Sequence, residues 1–439
     1  HGHRRTIENI RAAASTVGQR VSIMGDLPGP KMRIGCLAGH SVELEQGQSF
    51  ILQTEKVKGD NRRASLSFGG LPGAVTPGDK IFVNDGFIEL EVCEVRGQEV
   101  HCRVVVGGEL RSHKGVNFPG IDLGISAFTD HDRELLRFAS EQRLDAISQS
   151  FVQEAADIKA VRAAAAALDY TPFIIAKIER SRAVDNLDAI LESVDGIMVA
   201  RGDLGVEIPI EEIALAQKQI IQRSNLFGRP VITATHMLES MVAHRRPTRA
   251  EATDVANAIL DGTDCLMLSG ETAAGSHPVE AVAVMTRIAR VTEPHCRAGH
   301  VAQLLETERA KEEISRDDLI SLSIHLSVET LSPEAVVTPT MSGATARRVS
   351  RFRLPVWIVA VSSNESTCQD LQFSYGVYPV HETTRPASWE RYTRDWLARH
   401  GVDKNLALLT LGAGTGHTGG TNQIEVVDLD APHVATSIW

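Results

Sequence analysis

Runs of apolar residues and their spacing divide the chain into three textures. Between 117 and 298, short and almost wholly apolar runs at 146–151, 173–178, 196–200, 231–235 and 265–268 alternate with stretches of helical period at 155–168, 182–193, 210–227 and 250–260. An apolar run of this length, stopped by Gly or a charge, predicts a strand buried on both faces of a parallel sheet. Thr248 and Glu251 have the spacing of a capping box opening the last of these helices. Upstream, a helical stretch at 7–15 precedes Val21-Ser-Ile-Met-Gly-Asp26, one more strand of the same kind.

From 34 to 116 the period changes to two. Segments at 42–44, 50–53, 80–83, 87–95 and 99–106 are separated by Gly-Gln, Pro-Gly-Asp and Arg-Gly-Gln turns, which predicts an inserted all-β module. Beyond 298, a helix at 317–331 and strands at 335–337, 356–361, 377–380, 406–411 and 424–427 predict a second, smaller α/β domain. The expected partition is 1–33 and 117–298 for the main α/β domain, 34–116 for the insert and 299–439 for the C-terminal domain.

Each predicted strand of the main domain leads to reactive groups: Asp26, Ser150, Lys177 with Glu179, Asp203, Thr235 with His236, and Ser269 with Glu271. Polar groups at the carboxyl ends of successive parallel strands mark the active face of a TIM (β/α)8 barrel, whereas an open doubly wound sheet gathers them at one switch point. The pattern supplies six such strands, and a closed barrel has eight. The first two barrel strands are therefore expected to be missing from this chain, upstream of His1.

Composition removes several classes of function. The length of 439 residues suits about three domains, and 43% hydrophobic with 23% charged residues is ordinary globular usage. A net charge of −11 offers no basic face for nucleic acid or an anionic membrane, so any phosphate site must be local. No apolar run approaches the roughly 18 residues of a membrane span. Cysteines at 36, 93, 102, 265, 296 and 368 form no Cys-x-x-Cys pair and read as reduced packing residues, in keeping with a cytoplasmic location.

Lys177 and Glu179 are two apart and share one strand face, and Asp203 follows the next strand. One cation and two carboxylates at neighbouring strand ends can hold a divalent metal and a phosphorylated substrate. A plain surface ion pair is the alternative, and recurrence of the pattern at successive strand ends argues against it. In the C-terminal domain, Thr340-Met-Ser-Gly-Ala-Thr345 and the glycine-rich loop 412–420 could hold a phosphate on backbone amides or could simply make turns.

The same residues lie in longer motifs: Ala176-Lys-Ile-Glu179, Met198-Val-Ala-Arg-Gly-Asp-Leu-Gly205, Ala234-Thr-His-Met-Leu-Glu-Ser-Met241, Arg246-Pro-Thr-Arg-Ala-Glu251, Asp254-Val-Ala-Asn257 and Leu268-Ser-Gly-Glu-Thr272. With Asp85-Gly86 and Lys114-Gly-Val-Asn-Phe-Pro-Gly120 around the insert, the chain resembles the pyruvate kinase family over nearly its whole length. The resemblance implies a TIM barrel interrupted by a mobile β lid and followed by a regulatory α/β domain, in an allosteric homotetramer. It also implies transfer of phosphoryl from phosphoenolpyruvate to ADP, giving pyruvate and ATP in the last step of glycolysis. A metal-dependent lyase or aldolase barrel would share the carboxylates but lack the lid motifs. A catalytically silent phosphometabolite sensor would not need Lys177, Glu179, Asp203 and Thr235 together. The family's Arg-x-Asn-x-Ser-His-Gly motif survives here only as His1-Gly2, so its Arg, Asn and Ser carry no number in this sequence.

Residue roles follow from the resemblance. Glu179 and Asp203 would bind Mg²⁺ or Mn²⁺, and Lys177 with Arg33 would face the transferring phosphoryl. Gly202 and Asp203 would offer amides to the substrate carboxylate. Thr235, with Ser269 and Glu271, would serve protonation of the enolate, His236 would bind, and Asp85 would approach the nucleotide from the lid. Gly29-Pro30-Lys31-Met32-Arg33 is of the bacterial type in which Lys replaces Glu. Its tethered ammonium, Lys31, would stand in for potassium, so K⁺ is not expected to be required. In Thr340–Thr345, Ser342, Gly343 and Ala344 match the effector-phosphate loop without a neighbouring basic residue, and the expected effector is a phosphorylated sugar or a nucleotide.

Overall fold

The computed structural model describes residues 2–84, 86–296, 301–303, 305, 307, 315–402, 405–412 and 421–430. Six parallel strands, Met24–Leu27, Ala146–Gln149, Phe173–Ile178, Gly196–Ala200, Val231–Ala234 and Cys265–Leu266, pair in that order into one curled sheet. The first and last are not paired to each other among the described residues. Two strands stop short of their apolar runs because Phe151 and Thr235 have left-handed backbone (φ 60° and 68°) and turn the chain out of the sheet.

Alternation along Phe173–Ile178, buried throughout, sorts its side chains. Ile174, Ala176 and Ile178 join Ile197 and Val199 in the core that also holds Leu187, Ile190 and Leu191 of the helix Leu187–Ser193. Phe173 and Ile175 cluster instead with Ala146, Met198, Ile232 and Ala234. Lys177 has this second parity, the inward one, and so arrives at the mouth of the barrel with no room to leave it.

Of the surrounding helices, the predicted 182–193 stretch divides at Asn186 into Ser181–Asp185 and Leu187–Ser193. Residues 210–227 begin as a single 3-10 turn, Ile210–Glu212, before the helix Ile213–Leu226. Thr248 and Glu251 make the expected capping box on Arg249–Asp261. The pattern named neither Pro278–Thr292 nor Asp130–Glu141, whose opening Asp-His-Asp-Arg looks like a solvated loop. Thr129 and Asp132 cap it reciprocally, and buried Asp132 also accepts the Gly29 amide at 3.1 Å. That bond pins the turn where the chain leaves the barrel for the insert.

The insert is a six-stranded sheet in the order Arg63–Ser65, Ser49–Gln53, Glu99–Val106, Ile88–Arg96, Lys80–Val83, Val116–Asn117. A two-stranded ribbon of Ser41–Leu44 with Gly108–Arg111 lies beside it. Phe50, Leu52, Ile81, Ile88, Leu90 and Val100 fill its own core. It also carries the short helix Leu71–Ala74, so it is mainly rather than wholly β. The C-terminal sheet runs Val377–His381, Trp357–Ser362, Ala335–Pro339, Leu406–Gly412, Thr421–Asp428, with only the last strand antiparallel. Among the described residues, no helix is long and apolar enough to cross a membrane.

Among the contacts that join the C-terminal domain to the barrel are a ring stack and a buried ion pair. Phe373 stacks on Phe173 with ring centroids 5.2 Å apart, closing the end of the barrel away from Lys177. Arg353 bridges Asp264 through two bonds of 2.8 and 2.9 Å and donates to Asn225 and the Gly262 carbonyl. Both partners of that ion pair are 5% exposed. Replacing Arg353 with Ala leaves the Asp264 carboxylate buried without its cation, and we expect a loss of about 3–5 kcal/mol. Urea unfolding of the wild type and Arg353→Ala checks it; a change within error would show the pair to be structurally neutral.

Candidate active site

Three strand ends meet around one ammonium. Lys177 Nζ donates to Ser150 Oγ at 2.7 Å and lies 3.5 Å from a carboxylate oxygen of each of Asp26 and Glu179. Asp26 is held in turn by the Ser148 hydroxyl at 2.6 Å, from the strand paired with its own. Burial by itself would lower the Lys177 pKa, but the charges of Glu179, Asp26 and Asp203 outweigh it and hold the ammonium above the ordinary lysine value.

Glu179 is 1% exposed. Its Oε1 accepts the Phe151 amide at 2.7 Å, whereas its buried Oε2 accepts no hydrogen bond. Burial pushes this carboxyl above the usual carboxylate range, Lys177 pulls it down, and Asp203 pushes it up again. Asp203 lies in the first turn of the helix Arg201–Glu207, which follows the strand Gly196–Ala200 directly. A second buried pair stands behind Glu179: Arg180 and Glu207 at 3.2 Å, with burial raising the Glu207 carboxyl to about 7.

Thr235 and His236 both have left-handed backbone (φ 68° and 55°). For a β-branched residue this is strained, by about 1–3 kcal/mol. Arg201 holds the turn, donating to the Thr235 carbonyl at 2.7 Å and to Asp254 at 2.7 Å. The Gly202 amide donates to Thr235 Oγ1 at 2.8 Å, and that hydroxyl donates to the Ala234 carbonyl at 2.7 Å. Both groups expected to face substrate are thus engaged with each other. Arg201 and Asp254 stand inside the recognised motifs, yet their spacing gave no sign that they act together.

Other expected residues are placed differently. Glu271 spends both oxygens on backbone, accepting the Leu238 amide at 3.0 Å and the Ser269 amide at 2.7 Å, so it braces loops instead of facing solvent. Arg33 donates to the His113 carbonyl at 2.8 Å, in the turn between the strands Gly108–Arg111 and Val116–Asn117, and its amide donates to Ser67 Oγ at 2.9 Å. That bond and the bridge to Gly115 tie Arg33 to the root of the insert. Lys31 is exposed, and its charge still lowers the Glu179 carboxyl pKa. Asp85 lies outside the described residues, as do positions 413–420 of the glycine-rich loop. In the other loop, Gly343 has φ 76° and accepts its turn by donating to Thr340 Oγ1 at 2.9 Å; Thr345 meets Thr421 at 2.7 Å. Ser342 offers its carbonyl to Arg347, and Ala344 opens the helix Ala344–Ser350.

Among the described residues, no group of three or more His, Cys, Asp or Glu side chains could hold a metal by itself. Glu179, with one free buried oxygen, and nearby Asp203 form a partial set of hard donors. Such a set suits a hard cation that completes its shell with substrate oxygens and water.

The comparisons with known proteins agree along the chain. The family model "Pyruvate kinase, barrel domain" matches residues 1–282, and "Pyruvate kinase, alpha/beta domain" matches 318–427. The pyruvate kinase of Thermococcus litoralis is 44% identical over 97% of this chain and 90% of its own. That of Geobacillus stearothermophilus is 42% identical over 97% of this chain and 73% of its own. A crystal structure of a pyruvate kinase from Cryptosporidium parvum superposes with a TM-score of 0.88 at 34% identity, covering 97% of this chain and 88% of that one. A parallel barrel with an inserted β sheet, a buried Lys177 at its mouth and these matches from end to end have one reading: the chain belongs to the pyruvate kinase family of phosphotransferases.

Proposed function

We propose that the chain carries phosphoryl from phosphoenolpyruvate to ADP, giving pyruvate and ATP, at the strand-end cluster around Lys177. The observation that supports this most directly is the buried ammonium of Lys177 between Asp26 and Glu179. Phosphoryl transfer needs fixed positive charge where negative charge spreads over the equatorial oxygens, and a preorganised ammonium supplies it without reorganisation. Glu179 and Asp203 hold Mg²⁺ or Mn²⁺, which when bound neutralises phosphate charge. Arg201 fixes the Thr235 turn, and the Thr235 hydroxyl gives up its bond to the Ala234 carbonyl to serve proton delivery to the enolate. Arg33, tied to the His113 carbonyl, passes the position of the lid to the substrate side, and lid closure excludes water. A coupled assay with phosphoenolpyruvate, ADP and Mg²⁺ should show pyruvate formation. In Glu179→Gln, kcat should fall about a hundred- to a thousand-fold and Mn²⁺ binding should weaken. Absence of pyruvate from the wild type would end this reading.

Lys31 replaces a monovalent cation near the site, a role supported by its electrostatic reach to Glu179. Activity in a buffer free of sodium and potassium should stay near its maximum, and Lys31→Glu should become dependent on KCl. A many-fold rise of wild-type activity on adding KCl would contradict it.

The loop Thr340–Thr345 receives the phosphate of a sugar monophosphate or a nucleotide, and the chain acts as a homotetramer. Light scattering should give the mass of four chains, and at least one of a panel of phosphorylated sugars and AMP should lower the KM for phosphoenolpyruvate. A smaller assembly, or no response across the panel, would refute the corresponding claim.

A further inference from the structure

The six cysteines are not alike. Cys102 and Cys265 are pushed up to about 12 by burial, and burial also raises Cys296 and Cys368. Those four are poor nucleophiles. Cys36 and Cys93 are exposed. The Cys93 thiol donates to the carbonyl of Glu91 at 3.8 Å, with no base beside it among the described contacts. The Cys36 sulfur lies 3.5 Å from Nε2 of His113, a base able to take its proton. We propose that Cys36 and His113 form a reactive thiol–imidazole pair that exchanges with low-molecular-weight disulfides, a modification site at the root of the lid.

The surroundings fix the pair on both sides. The Cys36 carbonyl accepts the Gly59 amide at 2.8 Å, and the Leu37 amide donates to Ser112 Oγ at 2.9 Å. His113 has φ 64°, its amide donates to the Ile34 carbonyl, and its own carbonyl holds Arg33. In the exchange, Nε2 of His113 takes the thiol proton and the thiolate attacks one sulfur of R–S–S–R. The Cys36–S–S–R bond forms as the old disulfide breaks, and the leaving RS⁻ takes the proton back from His113. The bulky adduct then displaces the imidazole and disturbs the turn whose His113 carbonyl anchors Arg33, linking modification to the lid. That link rests on the role proposed for Arg33; the reactivity does not.

The test treats the intact protein with glutathione disulfide and follows adducts by intact mass and peptide mapping. Wild type should gain one fast adduct on Cys36, which Cys36→Ser loses and Cys93→Ser keeps. His113→Gln, folded by circular dichroism, should form it at least about tenfold more slowly. Preferred labelling of Cys93, or an unchanged rate in His113→Gln, would overturn the pair. The isolated adduct should show a raised KM for phosphoenolpyruvate that dithiothreitol reverses; an unchanged KM would overturn the link to the lid and leave the reactivity result standing.

Discussion

A lysine ammonium does not enter a barrel unless its partners are already in place. Lys177 is 9% exposed and would be strongly penalised there if Asp26, Ser150 and Glu179 were not brought to it by three adjacent strands. Glu179 is two residues from Lys177, but Asp26 and Ser150 are far from it in sequence. Only the parallel register, which sets Asp26 beside Ser148 and Ala176 beside Gln149, gathers them at one edge. The barrel and its site are therefore the same constraint seen twice. The inward parity that buries Phe173 and Ile175 leaves Lys177 no direction except toward the mouth.

The domains are tied to that constraint from opposite ends. Phe373 stacks beneath Phe173, the first residue of the strand that carries Lys177. Arg347 lies over the other side of the Phe173 neighbourhood, 6.0 Å from the ring centroid, and its guanidinium also reaches the Ser342 carbonyl. A loop movement around Ser342 thus has a packed route to the base of the catalytic strand. The insert leaves and rejoins the barrel beside the antiparallel bridge of Arg33 with Gly115.

Much of this was legible from apolar spacing. The strands Phe173–Ile178 and Gly196–Ala200 begin and end where the pattern puts them, since a doubly buried strand is apolar except where, as at Lys177, it reaches the mouth of the sheet. The Thr248 capping box was equally visible, being a local exchange between a side chain and the first helical turn. What escaped were interactions whose partners are distant in the chain. Glu271 looks like a substrate ligand at a strand end, yet two loop amides claim it. Arg33 looks like a phosphate clamp by its motif, yet a carbonyl 80 residues away holds it. Arg180 and Glu207 form a buried pair that no local period announces. Side-chain destinations of this kind depend on which strands become neighbours, and a one-dimensional pattern carries that information only indirectly.

The Thr235 turn shows why the site needs both rigid and exchangeable parts. Its left-handed backbone costs about 1–3 kcal/mol, and the guanidinium of Arg201, anchored by Asp254, offsets it through the Thr235 carbonyl. With the carbonyl so held, the hydroxyl points at the Gly202 amide, and the two satisfy each other at 2.8 Å. An anionic group that enters here exchanges one hydrogen bond for another, so the amide's net gain is set by charge more than by bond count. The strain keeps the hydroxyl where it is wanted; the internal hydrogen bond keeps the amide from being buried unsatisfied. Remove the strain and the pair would relax into an ordinary strand end, with the hydroxyl turned along the sheet and the amide of Gly202 facing nothing.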